Sequence, residues 1–261
     1  MERKHPEINI LITAGGTSEA IDSVRRITNT GSGRLGSLIA DAFSAQEAVR
    51  QIFYVCARDA VRPHAERISC VTVQSVADLR DAVNAILERH TIHCVIHSMA
   101  VSDYTVRAVS TTEALAAFLE EHASAPQNMQ RALLDGMGET DLRKGGGKLS
   151  SQMKSPLLLL EQTPKILPLF REKLPEAVII GFKLLHQVSE QTLLDTAHRL
   201  LVKNRCDFVL ANDAAEIKGD HHHAFLMDSE RRLSAFNTKQ EIAAGIVGAA
   251  METVARRKIC K

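Results

Sequence analysis

Short β-branched runs alternate along this chain with longer segments of helical period, and that alternation constrains its fold more than any other feature. Apolar runs at 8–13, 52–56, 70–73, 93–97, 177–182 and 207–211 have strand length, and the segments 35–50, 76–88 and 190–203 place apolar residues at helical spacing. Strands apolar along their whole length must be covered on both faces. The pattern therefore predicts an α/β chain with a Rossmann-like open, mainly parallel sheet and helices on both faces. Residues 224–228 and 233–236 flank a polar turn and predict a terminal hairpin, followed by a closing amphipathic helix over 239–256.

The 261 residues fit one nucleotide-binding α/β domain over 1–261 with an excursion. Residues 123–147 break the rhythm with Pro126, Asn128 and the run Gly145, Gly146, Gly147, and predict a mobile loop there. A formal net charge of +1 gives no reason to expect nucleic acid or an anionic membrane as a partner. No apolar run approaches the length that crosses a bilayer, so the expectation is a soluble, cytoplasmic protein. Cys56, Cys70, Cys94, Cys206 and Cys260 form no C-x-x-C pair and read as buried thiols of a reducing compartment.

The unusual residues fall where strands end. The first strand runs into Gly15, Gly16 and Thr17, the fourth into Met99, Ala100, Ser102 and Asp103, the fifth into Phe182 and Lys183, and the sixth into Asn212 and Asp213. In an open α/β sheet the carboxyl edge is where ligands bind, so these segments should share a crevice. Gly31, Gly33 and Gly36 lead into a helix, where exposed N–H groups can hold phosphate, although the same turn can serve as a plain helix cap. It is neither a P-loop nor a G-x-G-x-x-G turn. Arg25 and Arg26 precede Asn29, and either can pair with an anion, at least one of them being a solvated arginine instead. Asn29 can bond a carbonyl without titrating, or cap the turn. Lys148 follows the glycine run, as an arm that can deliver an ammonium to a phosphate or as a surface lysine. Arg199 and Lys203, four apart, share a helix face that can reach a triphosphate or simply be solvated. Successive side chains His221, His222 and His223 point alternately to opposite faces of a strand and cannot chelate together, and His97 reads as a core or rim histidine. No metal ligands can be assigned.

The ordered stretches "ILITAGGTSEAIDSVRRITNTGSGRLG", "VIHSMAVSDYTV", "KLSSQMKSPLLLLEQTPKIL", "IIGFKLL" and "LVKNRCDFVLANDAAEI" resemble the landmarks of the phosphopantothenoylcysteine synthetase family, from about residue 8 to 250 and most faintly over 107–147. The resemblance implies a phosphopantothenate–cysteine ligase of coenzyme A synthesis in its separate, monofunctional bacterial form, a homodimer using CTP (ATP being possible) with Mg²⁺. Its substrates would be phosphopantothenate, cysteine and the nucleotide. By the same resemblance Asn29 handles the acyl-nucleotide intermediate, Lys148 is a flap lysine, and Arg25 matches a catalytic arginine. The nucleotide would be held by Gly16, Gly31, Gly33, Gly36, Asp103, Thr163, Pro164, Lys165, Ile166, Phe182, Arg199, Lys203 and Asn212. Met99, Ala100, Asn29 and Asp103 would approach phosphopantothenate. Two positions depart from the family: Gly31 lacks the usual serine hydroxyl, and Arg199 stands for a lysine.

Two other readings compete with the ligase. A nicotinamide-dependent oxidoreductase needs a Tyr-x-x-x-Lys pair, but Arg58 follows Tyr54 and Ala108 follows Tyr104 at that spacing. A nucleotide-binding domain without turnover stays open, and turnover with cysteine separates it from the ligase.

Overall fold

A computed structural model describes residues 7–122 and 128–259. Its strands are β1 (Ile8–Ala14), β2 (Ser18–Ala20), β3 (Arg26–Thr28), β4 (Val49–Ala57), β5 (Ile68–Val73), β6 (Cys94–His97), β7 (Tyr104–Thr111), β8 (Pro156–Gln162), β9 (Val178–Leu185), β10 (Phe208–Asp213), β11 (Ile217–Lys218), β12 (His221–Asp228) and β13 (Leu233–Thr238). The helices are α1 (Arg34–Ser44), α2 (Val76–Arg89), α3 (Thr112–Glu121), α4 (Met129–Glu139), α5 (Ile166–Lys173), α6 (Glu190–Asn204) and α7 (Lys239–Ile259). Two compact units divide the chain. The larger holds residues up to 17, 30–101 and from 165 onward; the smaller holds 18–29 and 102–164.

The larger unit is a Rossmann-like α/β fold. Its parallel strands lie side by side as β5-β4-β1-β6-β9-β10. In order of appearance that is 3-2-1-4-5-6, with the reversal of direction between β1 and β6. β12 joins β10 antiparallel and pairs in turn with β13, forming the expected hairpin. β1 is buried along almost its whole length, as a strand covered on both sides must be. One face packs Ile10, Ile12, Ile52 and Ile180 against α1 and α7, and the other packs Leu11, Val95, Ile179 and Val209 against α2, α5 and α6.

The helix expected over 35–50 ends at Ser44. β-branched Val49 starts β4 instead, pairing with Ile8, and its N–H closes a tight turn onto the Gln46 carbonyl. Cys56, Cys94 and Cys206 are buried thiols as expected, but Cys70 is exposed because it lies on β5, the outermost parallel strand. Cys260 falls outside the described residues. None of the described helices is long and apolar enough to cross a membrane.

In the smaller unit β7 and β8 form a two-stranded antiparallel ribbon, and β2 and β3 form a short hairpin. Its apolar cluster is small: Val106, Val109 and Leu149, with Ile21, Ile27 and Met153 around them. Polar bonds supply much of the rest. Asp141 accepts from the Val109 N–H at 3.0 Å, Arg143 donates to the Val106 carbonyl at 2.8 Å, and the Ser110 and Thr140 hydroxyls are 2.6 Å apart. Residues 123–127 of the expected loop lie outside the described residues. The remainder of that segment is not loop throughout, since α4 occupies 129–139 with its start capped by the Asn128 side chain.

Candidate functional site

At the carboxyl edge of the larger unit, the turns after β1 and β6 are locked together. The Ala100 N–H donates to the Gly15 carbonyl at 2.8 Å, the Thr17 N–H to the Ala100 carbonyl at 3.0 Å, and the Ser98 hydroxyl to the Thr13 carbonyl at 2.7 Å. The glycines explain how the backbones come so close. Gly15 and Gly33 have φ of +89° and +72°, in the left-handed region that other residues avoid. A β-carbon on Gly31 would lie 2.6 Å from the Gly15 carbonyl oxygen. One on Gly36 would lie 2.6 Å from the Ala14 side chain, so this buried glycine seats α1 on β1 rather than touching a ligand. Helix α1 starts at Gly33 with no side-chain cap and no acidic residue in its first turn, which leaves the positive end of its dipole uncompensated. The sequence could not show that residues 18–29, between the two glycine turns, belong to the other unit.

Several expected contacts have other work. Met99 is buried in the apolar cluster facing α2, so its side chain is core. Ala100 spends its N–H and carbonyl on the Gly15–Thr17 turn. Ile166 is core, next to exposed Lys165 at the uncapped start of α5. Phe182 is half-buried on β9, and Asn212 is buried on β10. Beside Asn212, Asp213 ends β10 at the expected edge, but its carboxylate is committed to backbone N–H groups. Its carboxylate accepts from the Gln187, Val188 and Ala215 N–H groups at 3.0, 2.9 and 2.8 Å, holding the loop after β9. The Val188 bond above all keeps its carboxyl below the usual carboxylate range.

Arg199 and Lys203 are placed elsewhere. Both are exposed on α6, and Lys203 belongs to its last turn, just before β10 begins. A crossover helix runs antiparallel to its strands, so this end of α6 lies at the amino edge, away from Gly16 and Ala100. Arg199 bonds the Thr196 hydroxyl at 2.9 Å. The amino edge also carries a cavity of about 550 Å³ lined by Glu7, Asn9, Arg50, Phe53, His90 and His93, which none of the expected site residues reaches.

His97 is buried as expected, with Nδ1 2.7 Å from the Thr13 hydroxyl and the ring edge-on to Phe170. Burial pushes its pKa down to about 4, so it is a neutral imidazole. His222 is buried while its neighbours face outward, as alternation requires, and among the described residues no cluster of three or more His, Cys, Asp or Glu side chains could hold a metal. Tyr54 is wholly buried, its hydroxyl donating to the Val61 carbonyl at 2.9 Å.

The smaller unit carries the residues expected to do chemistry. Asn29, half-buried, follows β3. Arg25, four residues before it, donates to the Leu149 carbonyl at 3.1 Å and lies 3.6 Å from the Asp22 carboxylate. Arg26 is committed within the hairpin, donating to the Ser18 hydroxyl at 2.9 Å and its carbonyl at 2.6 Å. Lys148 is exposed between Gly147, at φ +78°, and buried Leu149. Asp103 and Pro164 are exposed at the base of the β7–β8 ribbon. Thr163 is buried there, its N–H donating to the Asp103 carbonyl at 3.0 Å and its hydroxyl to the Ser102 carbonyl.

The model of the DNA/pantothenate metabolism flavoprotein C-terminal domain matches residues 6–116 and 141–253. A crystal structure of the DNA/pantothenate metabolism flavoprotein from Streptococcus pneumoniae is 34% identical and superposes with a TM-score of 0.78, covering 94% of this chain and 99% of that one. The coenzyme A biosynthesis bifunctional proteins CoaBC of Thermococcus kodakarensis and Methanocaldococcus jannaschii are 26% and 27% identical over 90% and 91% of this chain. The chain spans about half the length of these curated relatives, 48% and 49%. A Cab2 mutant in complex with phosphopantothenate-cysteine shares the fold at a TM-score of 0.68 and 16% identity, over 96% of this chain and 89% of that one.

Proposed function

Because the chain belongs to the DNA/pantothenate metabolism flavoprotein C-terminal domain family, we propose that it is a phosphopantothenate–cysteine ligase acting with CTP. The observation that carries the reading is the switch point between β1 and β6. There Gly15, Gly16 and Ala100 bring two backbones together beside the uncapped start of α1, a combination suited to a nucleotide's phosphates. The names of the CoaBC relatives, and the product-like ligand in the Cab2 structure, support coenzyme A synthesis as the setting.

A carboxylate is a poor electrophile and must be activated before an amine can attack it. In the proposed reaction a carboxylate oxygen of phosphopantothenate attacks the α-phosphorus of CTP, and pyrophosphate leaves. The cysteine amine then attacks the acyl carbon of the acyl-cytidylate, loses a proton, and CMP departs. The Lys148 ammonium stabilises the charge that builds on the phosphates, and the Asn29 amide orients the carbonyl without titrating. Gly16, Gly31, Gly33, Lys165, Phe182 and Asn212 are the nucleotide contacts we retain. Arg199 and Lys203 drop out with their place at the amino edge, and Gly36 and Met99 act through packing. Mg²⁺ needs only one or two carboxylates beside the phosphates themselves. Exposed Asp103 would help hold a cation that arrives on the nucleotide. The reading also carries a homodimer. Exposed Tyr104, Leu158 and Leu160 on the β7–β8 ribbon are apolar surface that a second copy can cover.

The test is pyrophosphate release with phosphopantothenate and Mg²⁺, comparing CTP with ATP, with and without cysteine. Release that requires phosphopantothenate and turns over repeatedly with cysteine is the expected result. No release with either nucleotide would sink the ligase and favour a binding domain.

A further inference from the structure

We infer that Asp22 is a positioning residue that latches Lys148 in place through the backbone of Leu149. The inference rests on the role of Lys148 in the proposed ligase.

The Asp22 side chain is fully buried, and its two oxygens have separate duties. Oδ1 accepts from the Val24 and Arg25 N–H groups at 2.8 and 2.7 Å, shaping the loop between β2 and β3. Oδ2 accepts from the Leu149 N–H at 3.1 Å, across 127 residues of chain. The same loop holds the lysine segment twice more, through the Arg25 guanidinium on the Leu149 carbonyl at 3.1 Å and the Ser23 N–H on the Gly147 carbonyl at 3.5 Å. The residues on either side of Lys148 are therefore tied to the turn that begins the strand leading to Asn29. A β-carbon on Gly145, Gly146 or Gly147 would meet nothing within 4 Å, so the glycine run is not packed in on that side. Position is fixed from Leu149, whose side chain is buried with Val106 and Val109.

Chiefly the Val24 bond, and after it the Arg25 and Leu149 bonds, hold the Asp22 carboxyl below the usual carboxylate range against the opposing effect of burial, so the latch is an anion at neutral pH. A buried carboxylate bonded to three N–H groups joins two distant stretches more stiffly than apolar contact could, because each bond has a direction.

Asp22→Asn separates the two duties. The amide oxygen stays with Val24 and Arg25, which offer two donors, and the NH₂ then faces the Leu149 N–H, donor against donor. We expect the Leu149 amide to exchange its hydrogen faster in this variant while the Val24 and Arg25 amides keep their protection. The rate of pyrophosphate release should fall roughly 10- to 100-fold, mostly in kcat, as for a misplaced catalytic group. Added to Lys148→Ala, Asp22→Asn should slow the reaction by no more than about twofold further, since a latch has nothing left to position. An unchanged Leu149 exchange rate overturns the latch, and full additivity with Lys148→Ala overturns the positioning role even if both variants are slow. Wild-type protein that releases no pyrophosphate overturns the ligase reading itself, whatever the exchange data show.

Discussion

The two units are built from different materials. The larger is a sheet filled on both faces by wholly buried isoleucine, leucine and valine, so any one polar contact is a small part of what holds it. The smaller has three buried apolar residues in its cluster and leans on Asp22, Asp141, Arg143 and the Ser110–Thr140 pair. Non-directional burial is enough to hold an edge whose proposed working groups are backbone N–H. The side chains that the proposed reaction would use need directional support, and in the smaller unit the buried Asp22 carboxylate supplies it.

Truncation of the two cores should separate them most widely. Ile180→Ala empties a central position of the larger unit and should cost about 2–5 kcal/mol. Val109→Ala removes two carbons from the smaller cluster and should cost roughly 1–2 kcal/mol, about as much as the roughly 1–3 kcal/mol for Asp141→Ala, which strands the Val109 N–H. Denaturant titration gives all three values. Equal losses at Ile180 and Val109 would erase the distinction, and a silent Asp141→Ala would remove polar support from the account of the smaller unit.

This difference also explains what could be read in advance. Continuous short apolar runs and period-3.6 patterns are the signature of burial, and the sheet of the larger unit follows them: β1, α2, β6, α6 and the β12–β13 hairpin fall within a few residues of where the pattern places them. Strand β8 reads Pro-Leu-Leu-Leu-Leu-Glu-Gln, which alternates in burial but not in residue type, so its half-exposed ribbon face cannot be read from the sequence. Helix α3 buries none of its residues fully and has no sharp apolar stripe to detect. In the site, the glycine turns and strand ends were legible because special backbone geometry demands special residues. The place of Asp213 at the end of β10 was legible too, but what the Asp22 and Asp213 carboxylates hold was not, since one aspartate looks like another until its N–H donors are known. Lys203 misleads for a related reason: the charge of a side chain does not say which end of the sheet its helix faces.

Activity should sharpen the comparison from the other side. Lys148 is exposed and contributes nothing to either core, so Lys148→Ala should leave the denaturation midpoint unchanged while cutting pyrophosphate release about 10²–10³-fold, or about 3–4 kcal/mol. Asn29→Asp should slow the cysteine step more than the first, so that acyl-nucleotide accumulates in a quenched time course. Wild-type pyrophosphate release by Lys148→Ala would end its role, and equal slowing of both steps by Asn29→Asp would leave Asn29 as a turn residue rather than one that handles the intermediate.

Acid should distinguish the units by the pH at which each softens. In the larger unit, burial holds His97 near pKa 4, and His222 is also pushed down to about 4 by burial, then by Lys239 and His221. An unfolded imidazole titrates near ~6.5, so between those values the unfolded chain binds more protons. Stability from these groups is complete above about 6.5 and falls as the pH drops toward 4, by at most about 3 kcal/mol for His97. In the smaller unit Asp22 and Asp141 have carboxyls held below their ordinary range, Asp141 by Arg143 and the Val109 N–H in spite of burial. Their contribution is complete above an unfolded value near ~3.9 and is lost only as the pH falls through the lower folded values. Hydrogen exchange followed from pH 7 downward should therefore show β1 and β6 losing protection before β7 and Leu149, with a shallower loss in His97→Gln, which keeps a partner for Thr13 but no proton to gain. The same slope in that variant would mean that the buried imidazole is not what ties the larger unit to pH.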